Sequence, residues 1–215
     1  MKYSPLQHVR YKYQPVLPAM LQKDISTLAP EFGKETESLG DRGKLKEIFS
    51  ETYGRPTVRF TTGESSPRTE PIHIGVVLSG GQAPGGHNVI AGIFDAMKAS
   101  NSDSKLFGFL QGPSGILENR AIELTEDYID QYRNTGGFDM IGSGRTKIET
   151  EEQFAQSAEV CRKRGISALV IIGGDDSNTN AALLAEYFVK NDTDITVIGV
   201  PKTIDGDLKN EDVEI

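Results

Sequence analysis

Apolar runs alternate with stretches of helical spacing along residues 71–215. The apolar runs are short and rich in β-branched residues, which predicts strands. They cover residues 72–78, 106–110, 138–141, 168–172 and 195–200. Between them, apolar residues recur every three or four positions, which predicts helices over residues 89–98, 124–132, 150–165 and 180–189. The alternation predicts an α/β fold: a Rossmann-like three-layer α/β/α arrangement with a mostly parallel sheet.

Residues 1–70 lack this regularity and form, by our interpretation, an irregular N-terminal extension and linker that precedes an α/β domain at residues 71–215. Asp41 is predicted to cap a short helix that ends near Phe49. Residues 61–69 have the composition of a linker. Two interpretations stay open, a segment that lies on the surface of the larger body and a partly disordered leader.

Charge and composition exclude several classes of protein. A net charge of -8 argues against a nucleic-acid partner, which needs a basic face. The sequence contains no run of 18 apolar residues, so it predicts no membrane span, and the N-terminus has no apolar signal region. The single cysteine, Cys161, is predicted to lie in the core and excludes an internal disulfide, which fits a cytoplasmic location.

A glycine-rich loop follows the first predicted strand. Residues 79–86 read SGGQAPGG and stand directly before a predicted helix. Bare backbone approaches a ligand closely, and a helix N-terminus attracts anions, so the loop and the helix start together predict an anion site. The alternative is a turn that serves geometry alone. His87, at the end of the loop, either donates to a phosphate or caps the helix.

Two further strand ends carry carboxylates. Residues 173–177 read GGDDS, and adjacent carboxylates are tolerable when a divalent cation neutralises them, although capping of the next helix is an alternative. Residues 201–207 read PKTIDGD, where an aspartate could accept a proton from a hydroxyl and Lys202 could neutralise phosphate charge. A plain Asp-Gly turn is the alternative there. Together the three loops predict a phosphoryl-transfer site at one edge of the sheet.

These loops, with residues 134–140 (NTGGFDM) and 142–147 (GSGRTK), resemble the motifs of the phosphofructokinase family, specifically its pyrophosphate-dependent branch. Residues 4–7 (SPLQ) and 13–15 (YQP) are similar to the long form of that branch, which includes the plant β-subunit type. The resemblance covers essentially the whole chain. It implies reversible phosphoryl transfer from pyrophosphate to the 1-hydroxyl of fructose 6-phosphate in glycolysis, with Mg²⁺ and a homo-oligomeric full-length protein.

The resemblance also implies residue roles. Asp205 would be the base for the sugar hydroxyl, and Asp207 would support it. Asp175 would act on the Mg²⁺, and Arg145 would contact the transferred phosphoryl group. Thr203 would touch the sugar near its reacting end.

The remaining implied roles concern the phosphoryl donor. Gly80 and Gly81 would line the phosphate cradle. Members that use ATP usually have glycine in place of Asp176, whose carboxylate would clash with and repel the α-phosphate of ATP. Lys202 would offset the charge of pyrophosphate. Both residues therefore favour pyrophosphate over ATP.

Family members continue well beyond position 215 into a domain that holds most of the sugar-phosphate site. Residues 208–215 supply only Lys209 as a basic group. We therefore expect these 215 residues to be the donor-binding N-terminal portion, which binds Mg-pyrophosphate weakly and does not turn over fructose 6-phosphate alone. The alternatives are an ATP-dependent 6-phosphofructokinase and a non-catalytic regulatory subunit, although a regulatory paralogue would be expected to break the motifs that are intact here.

Overall fold

The computed structural model describes residues 4–204. A six-stranded sheet forms its centre. Its strands are β3 (His73–Ser79), β4 (Lys105–Phe109), β5 (Ala121–Glu123), β6 (Ser143–Gly144), β7 (Ala168–Gly173) and β8 (Thr196–Pro201). The strand order is β5-β4-β3-β7-β8, and β6 pairs with β3. All pairs are parallel except β4 with β5.

Helices cover both faces of this sheet, which confirms the predicted three-layer arrangement. They are α3 (Gly86–Ser100), α4 (Ser114–Leu117), α5 (Glu126–Asp130), α6 (Glu151–Lys163) and α7 (Asp175–Lys190). Successive residues of a strand point to opposite faces, so Val77 and Leu169 join the core with α4, α6 and α7, and Val76 and Val170 join the core with α3 and α5. Cys161 is fully buried in the first of these cores, as predicted, and burial raises the pKa of its thiol to about 12.

The predicted strand at residues 138–141 is wrong. Phe138, Met140 and Ile141 are buried in the core beneath α3, but their backbone forms no ladder. The Met140 carbonyl accepts a hydrogen bond from Tyr128 Oη at 2.8 Å, and the Ile141 carbonyl accepts one from the Gln111 N–H at 2.9 Å. The apolar run therefore reflects a buried loop, and the strand that follows it is the two-residue β6.

Residues 4–70 contain the short helix predicted after Asp41, α2 (Arg42–Ile48), and further elements that the sequence pattern did not predict. The further elements are α1 (Pro5–Lys12), two short 3₁₀ helices, β1 (Leu28–Glu35) and β2 (Pro56–Thr62). Ser4 and Gln7 form a capping box at α1, and β1 pairs antiparallel with β2. Asp41 stands at the start of α2, as predicted, but it adopts a left-handed conformation (φ 50°) and its side chain caps nothing.

The extension is bonded to both faces of the α/β body. On one side, the Glu186 carboxylate in α7 accepts hydrogen bonds from Ser50, Glu51 and Thr52. On the other, Asn134 Nδ2 donates to the backbone carbonyls of Arg10 in α1 and of Tyr13 directly after it. None of residues 4–70 is itself buried, and the division of the chain near residue 71 stays a prediction.

Candidate active site

The carboxyl ends of β3, β7 and β8 meet at one edge of the sheet, because these three strands are parallel neighbours. The loops that follow them, with the segment after β6, line a cleft of about 560 Å³. Its lining residues are Ser79, Gly80, Gly81, Arg145, Thr146, Lys147, Gly174, Asp175, Asp176, Ser177, Asn180 and Lys202. The three motifs singled out in the sequence therefore come together in one place.

Most of the predicted site residues that the structure describes lie in this cleft. They are Gly80, Gly81, Arg145, Asp175, Asp176 and Lys202. Thr203 follows Lys202 and is half-buried, but it is not part of the lining. Asp205 and Asp207, the predicted base and its support, lie outside the described residues, so their roles stay predictions.

Gly80 and Gly81 present bare backbone to two cations. Gly80 has φ +88°, a conformation that favours glycine, and its N–H donates to the Gly144 carbonyl at 2.8 Å. A Cβ at Gly81 would stand 3.1 Å from a terminal nitrogen of the Arg145 guanidinium, and one at Gly80 would stand 3.7 Å from Lys202 Nζ. Because Gly80 and Gly81 have no side chains, the charged groups of Arg145 and Lys202 can lie over the loop.

The second half of the glycine-rich loop has a structural role. The N–H groups of Gly85 and His87 donate to the carbonyls of Gly136 and Gly137, each at 2.9 Å. A Cβ at Gly86 would stand 2.3 Å from the ring of Phe138, so a side chain there would collide with the core. These two donors at the start of α3 are therefore taken, and this helix start does not line the cleft, so an anion site there stays a prediction.

The helix start that faces the cleft belongs to α7, which begins at Asp175, five residues before its predicted start. Its N-cap is Gly174, and no side chain caps it, so the first-turn N–H groups of Asp175, Asp176 and Ser177 are presented at the cleft. A helix N-terminus of this kind attracts anions. Gly173 has a packing role, because a Cβ there would stand 2.4 Å from the Ser177 Cβ.

Two contacts that the sequence did not reveal fix the walls of the cleft. Ser177 Oγ donates to Ser79 Oγ at 2.8 Å and joins the start of α7 to the end of β3. Asn180 Oδ1 accepts the Ile148 N–H at 3.0 Å, and Asn180 Nδ2 donates to the Ile148 carbonyl. Asn180 thereby holds the segment that carries Arg145 over the cleft. Both contacts join residues far apart in the chain, so no local signal could have identified them.

The cleft is locally cationic although the chain is acidic. Three basic side chains line it against two carboxylates, and one carboxylate oxygen of Asp176 stands 3.7 Å from Lys147 Nζ. Burial, and then the charge of Arg145, lower the pKa of Lys202. Two close cations in a half-buried site repel each other, and an anion between them would relieve that repulsion.

Asp175 could coordinate a magnesium ion only together with oxygen atoms supplied by a bound ligand and by water. It is exposed in the first turn of α7, and no group of three His, Cys, Asp or Glu side chains suited to a metal occurs among residues 4–204. Mg²⁺ is commonly held by one or two carboxylates, with phosphate oxygens and water completing its shell. The donor set therefore fits a cation that arrives with a phosphorylated ligand.

Fold and cleft define a class: an α/β protein with a cationic, glycine-lined site at the carboxyl ends of its parallel strands. The family model described as Phosphofructokinase matches residues 73–215. The chain therefore belongs to the phosphofructokinase family. Among residues 4–204, no helix has both the length and the apolar character needed to cross a membrane.

Two related proteins bear the name of the same enzyme. A pyrophosphate–fructose 6-phosphate 1-phosphotransferase of Porphyromonas gingivalis is 56% identical over 214 residues, which are 100% of this chain and 38% of that protein. The β2 subunit of the Arabidopsis thaliana protein of the same name is 46% identical over 213 residues, 98% of this chain and 37% of the relative. The chain thus spans well under half the length of these relatives.

Solved structures share the α/β body. The crystal structure of the pyrophosphate-dependent phosphofructokinase from Marinobacter aquaeolei superposes with a TM-score of 0.56 at 28% identity and covers 66% of this chain and 36% of that one. Pichia pastoris phosphofructokinase in the T-state gives a TM-score of 0.53 at 26% identity and covers 67% of this chain and 16% of that one.

Proposed function

We propose that this chain is the donor-binding part of a pyrophosphate-dependent phosphofructokinase. The phosphoryl group of pyrophosphate would pass to the 1-hydroxyl of fructose 6-phosphate, giving fructose 1,6-bisphosphate and phosphate. The observation that carries the proposal is the meeting of Gly80, Gly81, Arg145, Lys202 and the start of α7 in one cleft. The names of the related enzymes supply the reaction.

In the proposed reaction the 1-hydroxyl oxygen of the sugar attacks the nearer phosphorus of pyrophosphate. The bond from that phosphorus to the bridging oxygen breaks, and its electron pair leaves with the departing phosphate. The hydroxyl proton goes to Asp205. Arg145 stabilises the charge on the transferred group, as catalysis of this type relies on positioning and electrostatics.

Magnesium is part of the proposal, with Asp175 as its protein ligand. When bound, the cation would neutralise charge on the donor oxygens. Gly80 and Gly81 let the donor approach the backbone, and the first-turn N–H groups of α7 donate to its oxygens.

Donor choice in the proposal depends on Asp176 and Lys202. Asp176 is the second residue of α7, and its carboxylate would repel the α-phosphate of a nucleotide bound at this helix start. Lys202 donates from Nζ to the Gly81 carbonyl at 2.7 Å, which holds its charge over the glycine loop. Both residues therefore favour pyrophosphate as the donor over ATP. Pyrophosphate lacks a nucleoside, so the cleft must hold it through its compact charge alone.

Thr203 is proposed to contact the sugar near its reacting carbon, and Asp207 to support Asp205. The remaining sugar-phosphate contacts are proposed to come from a region corresponding to the part of the relatives that this chain does not match. Assembly of the complete protein from several subunits belongs to the same proposal and is supported by plant relatives named as subunits. A place in the cytoplasm is proposed with it.

A chimaera tests the proposal. Residues 1–215 replace the matched region of the Porphyromonas gingivalis relative, and the product is assayed with Mg²⁺, fructose 6-phosphate and either pyrophosphate or ATP as the only donor. We expect turnover with pyrophosphate and little with ATP. The unmodified relative controls for assembly, and Asp205→Asn, which keeps the shape but cannot accept the proton, should lower kcat by about 10²–10⁴-fold. Turnover with ATP alone would refute the proposed donor.

A further inference from the structure

Phe138 lies in the core beneath Lys202, in a loop that the reaction scheme does not use. The residue is 2% exposed and lies between α5 and β6. Its ring centroid lies 5.2 Å from Lys202 Nζ, within the range of a cation–π interaction. The ring edge packs against Gly86, where a Cβ would stand 2.3 Å from Phe138 Cδ2. Phe138 therefore joins the core of the α/β body to the lysine of the cleft.

The Lys202 ammonium donates one hydrogen bond to the protein backbone and faces the Phe138 ring on another side. Its Nζ donates to the Gly81 carbonyl at 2.7 Å. An ammonium carries three donors, so this arrangement leaves donors for a ligand in the cleft. A flexible lysine beside Arg145 would otherwise be driven toward solvent by like charge, and the carbonyl and the ring oppose that movement.

Backbone contacts fix the loop on both sides of Phe138. Before it, the carbonyls of Gly136 and Gly137 accept from the N–H groups of Gly85 and His87. After it, the N–H groups of Asp139 and Met140 both donate to His87 Nε2 at 2.9 Å. The ring is thus held at a fixed place relative to the start of α3.

The His87 imidazole is neutral in this arrangement. Its Nε2 accepts two backbone hydrogen bonds, so the proton resides on Nδ1, which faces Thr135 Oγ1 at 2.5 Å. Asp139 Oδ1 also stands 2.9 Å from Nε2 and favours the charged ring. Burial outweighs it, and the pKa of His87 is lowered. His87 therefore organises the loop and is neither a phosphate ligand nor a plain helix cap.

We propose that Phe138 is a positioning residue, which holds the Lys202 ammonium over the glycine loop so that it is ready to receive pyrophosphate. The proposal rests on the proposed function, since it assigns Lys202 to the donor. Phe138 touches no substrate and acts through the lysine. An aliphatic side chain of similar size would fill the core but would not attract the ammonium.

Fluorinated phenylalanines at position 138 separate attraction from shape. Stepwise fluorination weakens the negative face of the ring while its size changes little. We expect the Kd of Mg-pyrophosphate for the 215-residue chain, measured by titration calorimetry, to rise with each fluorine and to reach about three- to tenfold with a trifluorinated ring. Phe138→Leu should produce a similar loss, with folding monitored by circular dichroism.

Two further measurements identify the lysine as the partner. In the chain labelled at lysine Cε, the Lys202 ε-methylene resonance should be shifted upfield by the ring, and Phe138→Leu should abolish that shift. In a Lys202→Met background, fluorination at position 138 should no longer change the Kd, because the cation that the ring attracts is gone.

The outcomes distinguish the two proposals. A Kd that ignores fluorination, or that still responds to it with Lys202→Met, would overturn the positioning role. An unshifted Lys202 resonance in the unmodified chain would overturn it as well. A chain that shows the ring shift but binds no Mg-pyrophosphate would refute the proposed donor, while supporting Phe138 as the residue that places Lys202.

Discussion

Replacing Asp176 tests how the cleft discriminates between donors. The residue is the second of α7, its side chain is 84% exposed, and its nearest cation is Lys147, 3.7 Å away. Asp176→Asn removes the charge and keeps the shape. Asp176→Gly removes both. The pair therefore separates the repulsion of an α-phosphate from steric exclusion.

The magnitude of the repulsion follows from the exposure. Two unit charges about 4 Å apart interact by about 1 kcal/mol in water and by about 4 kcal/mol at the effective dielectric of a protein surface. The high exposure of Asp176 places the repulsion near the lower figure. Asp176→Asn should therefore lower the Kd of MgATP about fivefold. Mg-pyrophosphate has no α-phosphate, so its Kd should change by less than about twofold.

Asp176→Gly should lower the Kd of MgATP beyond the level of the asparagine variant, because it also removes the side chain. Glycine in a helix and the loss of a carboxylate from its first turn each cost about 0.5–1 kcal/mol of stability, so urea unfolding must accompany the titrations. Titration calorimetry of the chain and both variants with each donor supplies the ratio of the two Kd values. A ratio that neither variant changes would refute the discrimination by Asp176.

Three other predictions follow from the described contacts. Glu186→Ala leaves the donors of residues 50–52 unpaired and should lower the free energy of unfolding in urea by about 2–3 kcal/mol, while an unchanged value would contradict the anchor. Burial raises the pKa of Glu186, but its hydrogen bonds lower the pKa by more, so the net shift is downward. The stabilisation by Glu186 should therefore be present above about pH 4.5 and be lost as the pH falls below that value. Equal acid sensitivity of the Glu186→Gln variant would count against this prediction. Gly86→Ala should cost about 1–3 kcal/mol by overpacking against Phe138, with Gly92→Ala, where no atom lies within 4 Å, as the tolerated control. Lys202→Met should weaken Mg-pyrophosphate by about tenfold or more, and an unchanged Kd would remove the lysine from the donor site.

The sheet was predictable because its central strands are buried on both faces. Val76 to Leu78 and Leu169 to Ile172 are apolar at every position, and a continuous run of this kind is a strong local signal. The start of α7 was not predictable from periodicity, because its first residues are Asp, Asp, Ser and Asn, and apolar residues begin only at Ala181. Asp175 and Asp176 stand in the first turn of α7, a position that suits acids, but no side chain caps the helix.

The hairpin of the extension gave no such signal. The strand β1 contains Pro30 and Gly33, and most of its residues are exposed, so no alternation of apolar and polar positions marks it. Its pairing with β2 joins residues about 30 positions apart along the chain, as Leu28 with Thr62. Strand formation here depends on a partner that local sequence cannot identify.

The candidate site was predictable as a set of motifs and not as a geometry. Glycines and acids at the ends of apolar runs marked Gly80, Gly81, Asp175 and Asp176, and parallel pairing then brought them together. Phe138 and His87 were missed or left open, because their roles depend on contacts between segments some 50 positions apart along the chain.

Direct titration of the 215-residue chain with each donor tests the central claim most closely. The measurement is the Kd of Mg-pyrophosphate against the Kd of MgATP under the same conditions, by calorimetry. Our account predicts saturable binding of Mg-pyrophosphate and at least about tenfold weaker binding of MgATP. MgATP that binds as tightly as Mg-pyrophosphate, or a chain that binds no Mg-pyrophosphate, would contradict it.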